Sequence, residues 1–293
     1  MTLFLFLAAG LLSAQPKACF TPEDRHIFHQ YLTYISPYRN FSTDTLLEKT
    51  ATFFLGKPYV ANTLEITDEE MLVVNLREFD CTTFLETVIA LTRTARSEKP
   101  SFDAFLAELQ QIRYRRGVTD GYASRLHYTS DWVYENEQNG RIRNLSAVLG
   151  GINEEKTIHF MSTHRDAYKH LKTDDAVLQE IVTVEKEING RGGFAYLPKA
   201  KIASIASRIP HMAMIGFTTD IEGLDISHVG FAFKKEDKLT FMHASSARER
   251  VVVDEKKLSD YCAGQKSCTG VLVAELMGTR NGLHWKDIIN LAE

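Results

Sequence analysis

The stretch REFDCTTFLETVIALTR, residues 77–93, sets one cysteine between an aspartate and two threonines at the head of an apolar run. Phe84, Leu85, Val88, Ile89 and Thr92 recur at helical spacing, so the segment predicts a helix with one face packed on a sheet. Asp80 is a natural N-cap, which puts Cys81 in the first turn. At a helix start the free N–H groups and the dipole favour the thiolate, the attacking form of cysteine, and can donate to an oxyanion. Taken alone, Cys81 reads more simply as a small buried hydrophobe.

Upstream, TPEDRHIFHQYLTYI (21–35) carries a Thr21 cap, Pro22 at the first helical position, and Ile27, Tyr31 and Tyr34 at helical spacing. STDTLLEKTATFFLG (42–56) offers Ser42 as cap and Gly56 as stop, and SFDAFLAELQQIRYR (101–115) reads as a further helix. The densest cationic patch, RYRRG (113–117), is expected to be a solvated helix end. One more helix is expected in TDDAVLQEIVTVEKEI (173–188).

The period then changes. HMAMIGFT (211–218), ISHVGFAF (226–233), LTFMHASS (239–246), RVVVD (250–254) and GVLVAELM (270–277) are short β-rich runs between charged or glycine-containing turns. A helical half followed by an antiparallel sheet predicts an α+β fold rather than a doubly wound one. No linker composition separates the halves, so residues 15–293 are expected to form one domain with added helices and a long insertion between Cys81 and His228.

Two histidines fall on the expected sheet. Alternation places His228, Gly230 and Ala232 on one face of their strand, and Val229, Phe231 and Phe233 on the other. The histidine face has the small neighbours. The turn KKEDK (234–238) joins this strand to the next, so His243 is expected beside His228, where it could orient the first imidazole.

DCTTFLETV, SHVGFAF and MHASS resemble the DCSGF helix start, the HVGIYLG-like strand and the HAS segment of NlpC-type cell-wall cysteine peptidases, a branch of papain-like folds. GYASRLHYTSDWVYENE (121–137) and GKPYVANTLE (56–65) resemble more closely a related family of N-acetylmuramoyl-L-alanine amidase-like proteins, over roughly residues 40–280. This resemblance implies a papain-like fold, Cys81 as nucleophile, His228 as base and His243 as orienting residue. It implies hydrolysis of the amide between N-acetylmuramic acid and L-alanine in peptidoglycan or its muropeptide fragments. Cleavage between D-glutamate and the diamino acid is the alternative bond. Thr82 and Thr83 stand where the better-known branch has Ser-Gly, and the Cys-to-His insertion is longer than in minimal endopeptidases, so dipeptide specificity does not transfer.

Substrate-binding candidates are Tyr59, Asp80, Arg125, His127, Tyr128, Asp131 and Trp132. SRLHYTSDWVYEN (124–136) has the composition of a loop that stacks on a sugar and pairs with carboxylates, or of one pinned to the core by aromatic anchors. Asp80 could cap its helix, face substrate, or do both.

The remaining composition narrows the class. A formal charge of −4 and no long basic tract give no reason to expect nucleic acid. No H-E-x-x-H or C-x-x-C pattern occurs, so neither a metal nor another cofactor is expected. A glycan-binding module without catalysis is the reading from a different class, and intact Cys81 and His228 weigh against it. Leu3–Leu12 followed by Ser13 and Ala14 reads as a signal peptide over residues 1–14, with no membrane span after cleavage and a periplasmic or secreted mature chain. Of four cysteines, Cys262 and Cys268 could close a small disulfide loop or stay as thiols, and Cys19 has no evident role. Oligomeric state is not legible.

Overall fold

The computed structural model describes residues 17–278, so the leader read at residues 1–14 lies outside the described residues. Strand β1 (Ala18–Cys19) pairs in parallel with β2 (Leu72–Val73), bracketing the first two helices. Helix α1 (Pro22–Ile35) begins as expected: Thr21 accepts from the Asp24 N–H, and the Asp24 carboxylate accepts from the Thr21 N–H at 2.8 Å. Helix α2 (Thr43–Phe53) ends before Gly56, whose φ of +82° suits a residue without a Cβ. Helices α3 (Cys81–Arg96) and α4 (Phe102–Arg113) complete this layer, with Ser101 accepting from the Ala104 N–H at the start of α4.

Twelve of the sixteen residues of α3 are buried, so it is a central helix rather than one with a single packed face. It lies between the other helices and the sheet, where Phe84, Leu85 and Val88 meet Val229, Phe231 and Met242 in the main core.

The insertion contains α5 (Thr129–Gln138), β3 (Ile142–Asn144), β4 (Ile152–Glu154), the short helices α6 (Phe160–Thr163) and α7 (Lys169–Thr173), and α8 (Asp175–Asn189). It closes over its own small core of Tyr122, Tyr128, Ile158, Met161, Leu171, Ile181 and Ile188. Then come β5 (Phe194–Pro198), α9 (Ile202–Ile205), β6 (Met214–Thr219), β7 (Ile226–Lys235), β8 (Lys238–Ser245), β9 (Arg250–Val253), α10 (Leu258–Gly264) and β10 (Cys268–Leu276).

The main sheet is antiparallel, in the order β4-β5-β10-β6-β7-β8-β9, with β3 also paired to β10. The fold is therefore α+β, a helical layer on an antiparallel sheet. The five strands expected from the alternating runs form. Strands β3, β4 and β5 were not expected, because three to five residues carry too little alternation to register. The far face of the sheet buries Ile215, Phe217, Ala232, Phe241 and Val271 against Ile202 and Leu258. There Cys262 and Cys268 form a disulfide with Cα atoms 5.7 Å apart, resolving the two readings of that pair.

The cationic patch is solvated only in part: Arg116 is exposed, but its other two arginines turn inward. Arg113 is buried, donates to Glu86 of α3 at 2.7 Å and to the Val73 carbonyl at 2.6 Å, and so ties α3 to α4 and β2. Arg115 donates to Asp131 at 2.6 Å. A helix end rich in arginine is drawn inward here because carboxylates from other elements await it. Among the described residues no helix is long and apolar enough to cross a membrane.

Candidate active site

Asp80 caps α3 by accepting from the Thr83 N–H at 2.7 Å, while the Thr83 hydroxyl accepts from the Asp80 N–H at 3.0 Å. Both ends of the first turn are thus fixed, and Cys81 stands at its outer edge, partly exposed and free. The capping reading of Asp80 holds, and its charge lies beside the thiol.

Strand β7 meets the helix start at a change in its own pairing. A β-bulge at Ser227 shifts the register with β6, since Phe217 pairs with His228 and Thr218 with Ile226. On the other side, the ladder with β8 ends at Phe231 and Met242. Past that point β7 and β8 share no ladder bonds, and the Val229 N–H faces the Cys81 sulfur instead, together with the Thr82 N–H and hydroxyl.

His228 and His243 use the same opening. His228 Nε2 lies 2.6 Å from His243 Nδ1, a hydrogen bond between adjacent strands, as their spacing predicted. Phe217 stacks on His228 with ring centroids 5.9 Å apart, and Phe241 packs on His243 at 4.2 Å. Gly230 makes the pair possible: a Cβ there would stand 3.0 Å from the His243 Cβ and 2.7 Å from the Met242 carbonyl oxygen. Among the described residues Cys81 makes no hydrogen bond to His228 in this resting geometry.

Burial sets the acidities, and it opposes the helix start. The Cys81 thiol is pushed up to about 11, first by desolvation and then by the Asp80 charge, which together outweigh the facing N–H groups. Desolvation lowers His228 to about 4 and His243 to about 3, the latter also through His228. Burial thus works against the thiolate that the helix start favours and against protonation of either imidazole.

Tyr59 is at the site as expected, half-buried, its phenol raised first by desolvation and then by the neighbouring Cys81 and Asp80. Two residues no sequence pattern had marked join it. Tyr261 of α10 feels both Cys81 and Asp254 and packs 5.9 Å from the His243 ring. Asp254 directly follows β9, with its Oδ2 3.5 Å from His243 Nε2. The one available signal for Tyr261 was its position next to Cys262, which the disulfide anchors.

The segment expected as a binding loop is largely helix α5 and its lead-in, and most of its candidate side chains face inward. Arg125 is buried against Glu65 at 2.6 Å and Glu70 at 3.4 Å. Tyr128 donates to Glu185 at 2.7 Å and accepts from the Met161 N–H. Asp131, 1% exposed, holds Arg115 and Arg191, and Trp132 lies in the main core. His127 packs on Tyr122 with its Nε2 2.9 Å from the Tyr122 carbonyl, and burial keeps it well below the usual imidazole range. Of the two readings offered for this segment, the anchors pinned to the core describe its geometry. Among the described residues no group of three or more His, Cys, Asp or Glu side chains is arranged to hold a metal.

No curated protein matches this chain. A crystal structure of an N-acetylmuramoyl-L-alanine amidase from Bacteroides uniformis is similar at 36% identity and a TM-score of 0.76, covering 80% of this chain and 99% of that one. A putative xylanase from Bacteroides fragilis is similar at 35% identity and a TM-score of 0.73, covering 78% and 99%. A Legionella pneumophila protein shares the fold at 21% identity and a TM-score of 0.63, covering 87% and 94%. Residues 49–270 match the model of one family, a span that contains Cys81, the histidine pair, Asp254 and Tyr261. The chain belongs to the N-acetylmuramoyl-L-alanine amidase-like family.

Proposed function

We propose that this protein is a cysteine hydrolase of peptidoglycan with a papain-like, NlpC-type arrangement, cleaving the amide between N-acetylmuramic acid and L-alanine in the wall or its muropeptide fragments. The observation that carries this reading is the 2.6 Å bond between His228 and His243, one residue along the strand from the Val229 N–H that faces the Cys81 thiol at its helix start. The family and the named Bacteroides uniformis amidase support the choice of bond.

With the resting thiol protonated, the reaction is general-base attack rather than attack by a stored thiolate. As Cys81 closes on the lactyl carbonyl, its proton passes to His228, and the carbonyl oxygen takes up negative charge. The Thr82 and Val229 N–H groups face that corner and are the candidate oxyanion donors. His228 then gives its proton to the amine of L-alanine, which leaves, and activates water to release the acyl group. Tyr59 and Tyr261 flank Cys81.

The Cys262–Cys268 disulfide supports an exported, periplasmic or secreted setting, since such bonds persist in oxidising compartments. Mass spectrometry of defined muropeptides tests the bond: release of a peptide beginning with L-alanine is expected. Release of a fragment cut between D-glutamate and the diamino acid would replace this reading with an endopeptidase. Cys81→Ala and His228→Ala are expected to be folded and essentially inactive, and turnover by either at the parental rate would refute the cysteine mechanism.

A further inference from the structure

His243 is almost fully buried, and its Nε2 has no hydrogen-bond partner among the described residues. An unpaired buried imidazole nitrogen is costly and needs an account. The group facing it is Asp254. One carboxylate oxygen, Oδ1, is fixed by the Lys256 N–H at 2.8 Å, while the Asp254 backbone N–H donates to Phe241 at 2.9 Å and its carbonyl accepts from Thr240 at 2.6 Å. The turn after β9 thus holds the carboxylate rigidly, with Oδ2 turned to His243 Nε2 at 3.5 Å.

We infer that Asp254 is a positioning residue, whose carboxylate sets the tautomers of His243 and His228 so that His228 Nδ1 is left free to take the Cys81 proton. An ionised carboxylate only accepts, so the His243 Nε2 facing it carries the hydrogen. His243 Nδ1 is then a lone pair, and the 2.6 Å bond must be donated by His228 Nε2–H. That leaves His228 Nδ1 unprotonated, which is the state a base requires. When Nδ1 receives the thiol proton, His228 becomes an imidazolium hydrogen-bonded to His243, and the Asp254 charge stabilises it across that ring. A separation of 3.5 Å is longer than a hydrogen bond, and closing it by about 0.5 Å as the positive charge forms would strengthen the contact in the transition state.

Among the described residues, Tyr261 of α10 packs on the His243 ring, Asp254 just after β9 faces its Nε2, and Cys81 of α3 meets the N–H of Val229, the residue after His228. Burial raises the Cys81 thiol and the Tyr261 phenol, and of the three groups Asp254 is the one whose oxygen lies 3.5 Å from the His243 ring. The imidazoles are themselves lowered by burial, so a carboxylate is the group available to make the transient imidazolium less unfavourable.

This inference rests on the cysteine-hydrolase reading above, and the test separates the two. Asp254→Asn keeps an oxygen for the Lys256 N–H and nearly the same volume, but removes the charge. The expected result is a fall in kcat of about 10–100-fold with KM nearly unchanged, together with a downward shift of the acid limb of kcat/KM. Asp254→Glu should recover part of the rate. A folded Asp254→Asn with parental kcat, or a loss of kcat with an unmoved acid limb, would overturn the positioning role while Cys81→Ala and His228→Ala remained inactive. Turnover by Cys81→Ala would instead overturn the underlying reading. Nitrogen-15 NMR of the unmodified protein gives a check independent of any variant folding: a hydrogen on His243 Nε2 is expected, and one on His243 Nδ1 would overturn the inference.

Discussion

Gly230→Ala probes the geometry of the histidine pair without touching either ring. The added methyl would stand 2.7 Å from the Met242 carbonyl oxygen, 3.0 Å from the His243 Cβ and 3.2 Å from Phe241 Cδ2. Carbon contacts are comfortable at about 3.5–4.0 Å, so β8 must retreat by roughly 0.5–1 Å at the residue that carries His243. Added to the 2.6 Å bond to His228, that retreat gives roughly 3.1–3.6 Å, the limit of a hydrogen bond or beyond it. Overpacking of this kind costs about 1–3 kcal/mol, so a chain of this size should melt several degrees lower yet still fold. The loss of rate should be larger than the loss of stability suggests. A misplacement near 1 Å can cost roughly 100-fold, so kcat on a muropeptide is expected to fall by about 10–100-fold at a temperature where circular dichroism shows the variant fully folded. Gly264→Ala is the control, since nothing lies within 4 Å of a Cβ at that position, and it should alter neither quantity. A Gly230→Ala enzyme with parental kcat would refute the claim that the pair depends on this close approach.

Two further outcomes follow from burial. Because burial raises the Cys81 thiol to about 11, alkylation by iodoacetamide should climb steadily with pH beyond the free-cysteine value near 8.5; a plateau reached by pH 7 would show a stored thiolate instead. Arg113→Ala should lower stability by about 3–5 kcal/mol in urea unfolding, because it strands the Glu86 carboxylate in the core, whereas the joint replacement Glu86→Leu with Arg113→Met should recover most of that loss; a single-variant loss below about 1 kcal/mol would show that water reaches Glu86.

The candidate site was legible where its geometry depends on neighbours along the chain. Asp80 and Thr83 sit three residues apart and close a capping box, so the place of Cys81 at a helix start follows from local hydrogen bonding. His228 and His243 flank a short turn, and the hairpin register brings them together. The same holds for the ends of α1 and α4 and for the strands with sustained alternation. Short strands such as β3 and β4 were silent because three residues define no period.

What the sequence by itself determined is thus the α+β order, the helix carrying Cys81 and the hairpin carrying the two histidines, all products of spacing within about twenty residues. Only the tertiary structure shows that burial pushes the Cys81 thiol up and the His228 imidazole down, because desolvation sums over atoms from the whole chain. It alone turned Arg125, Tyr128 and Asp131 into interior braces, since an arginine meant for a substrate and one meant for Glu65 look alike until Glu65 is placed. It alone brought Asp254 behind His243: the pairing of His243 with Val252 across β8 and β9 carries the turn after β9 to the buried imidazole, and no local pattern encodes that register.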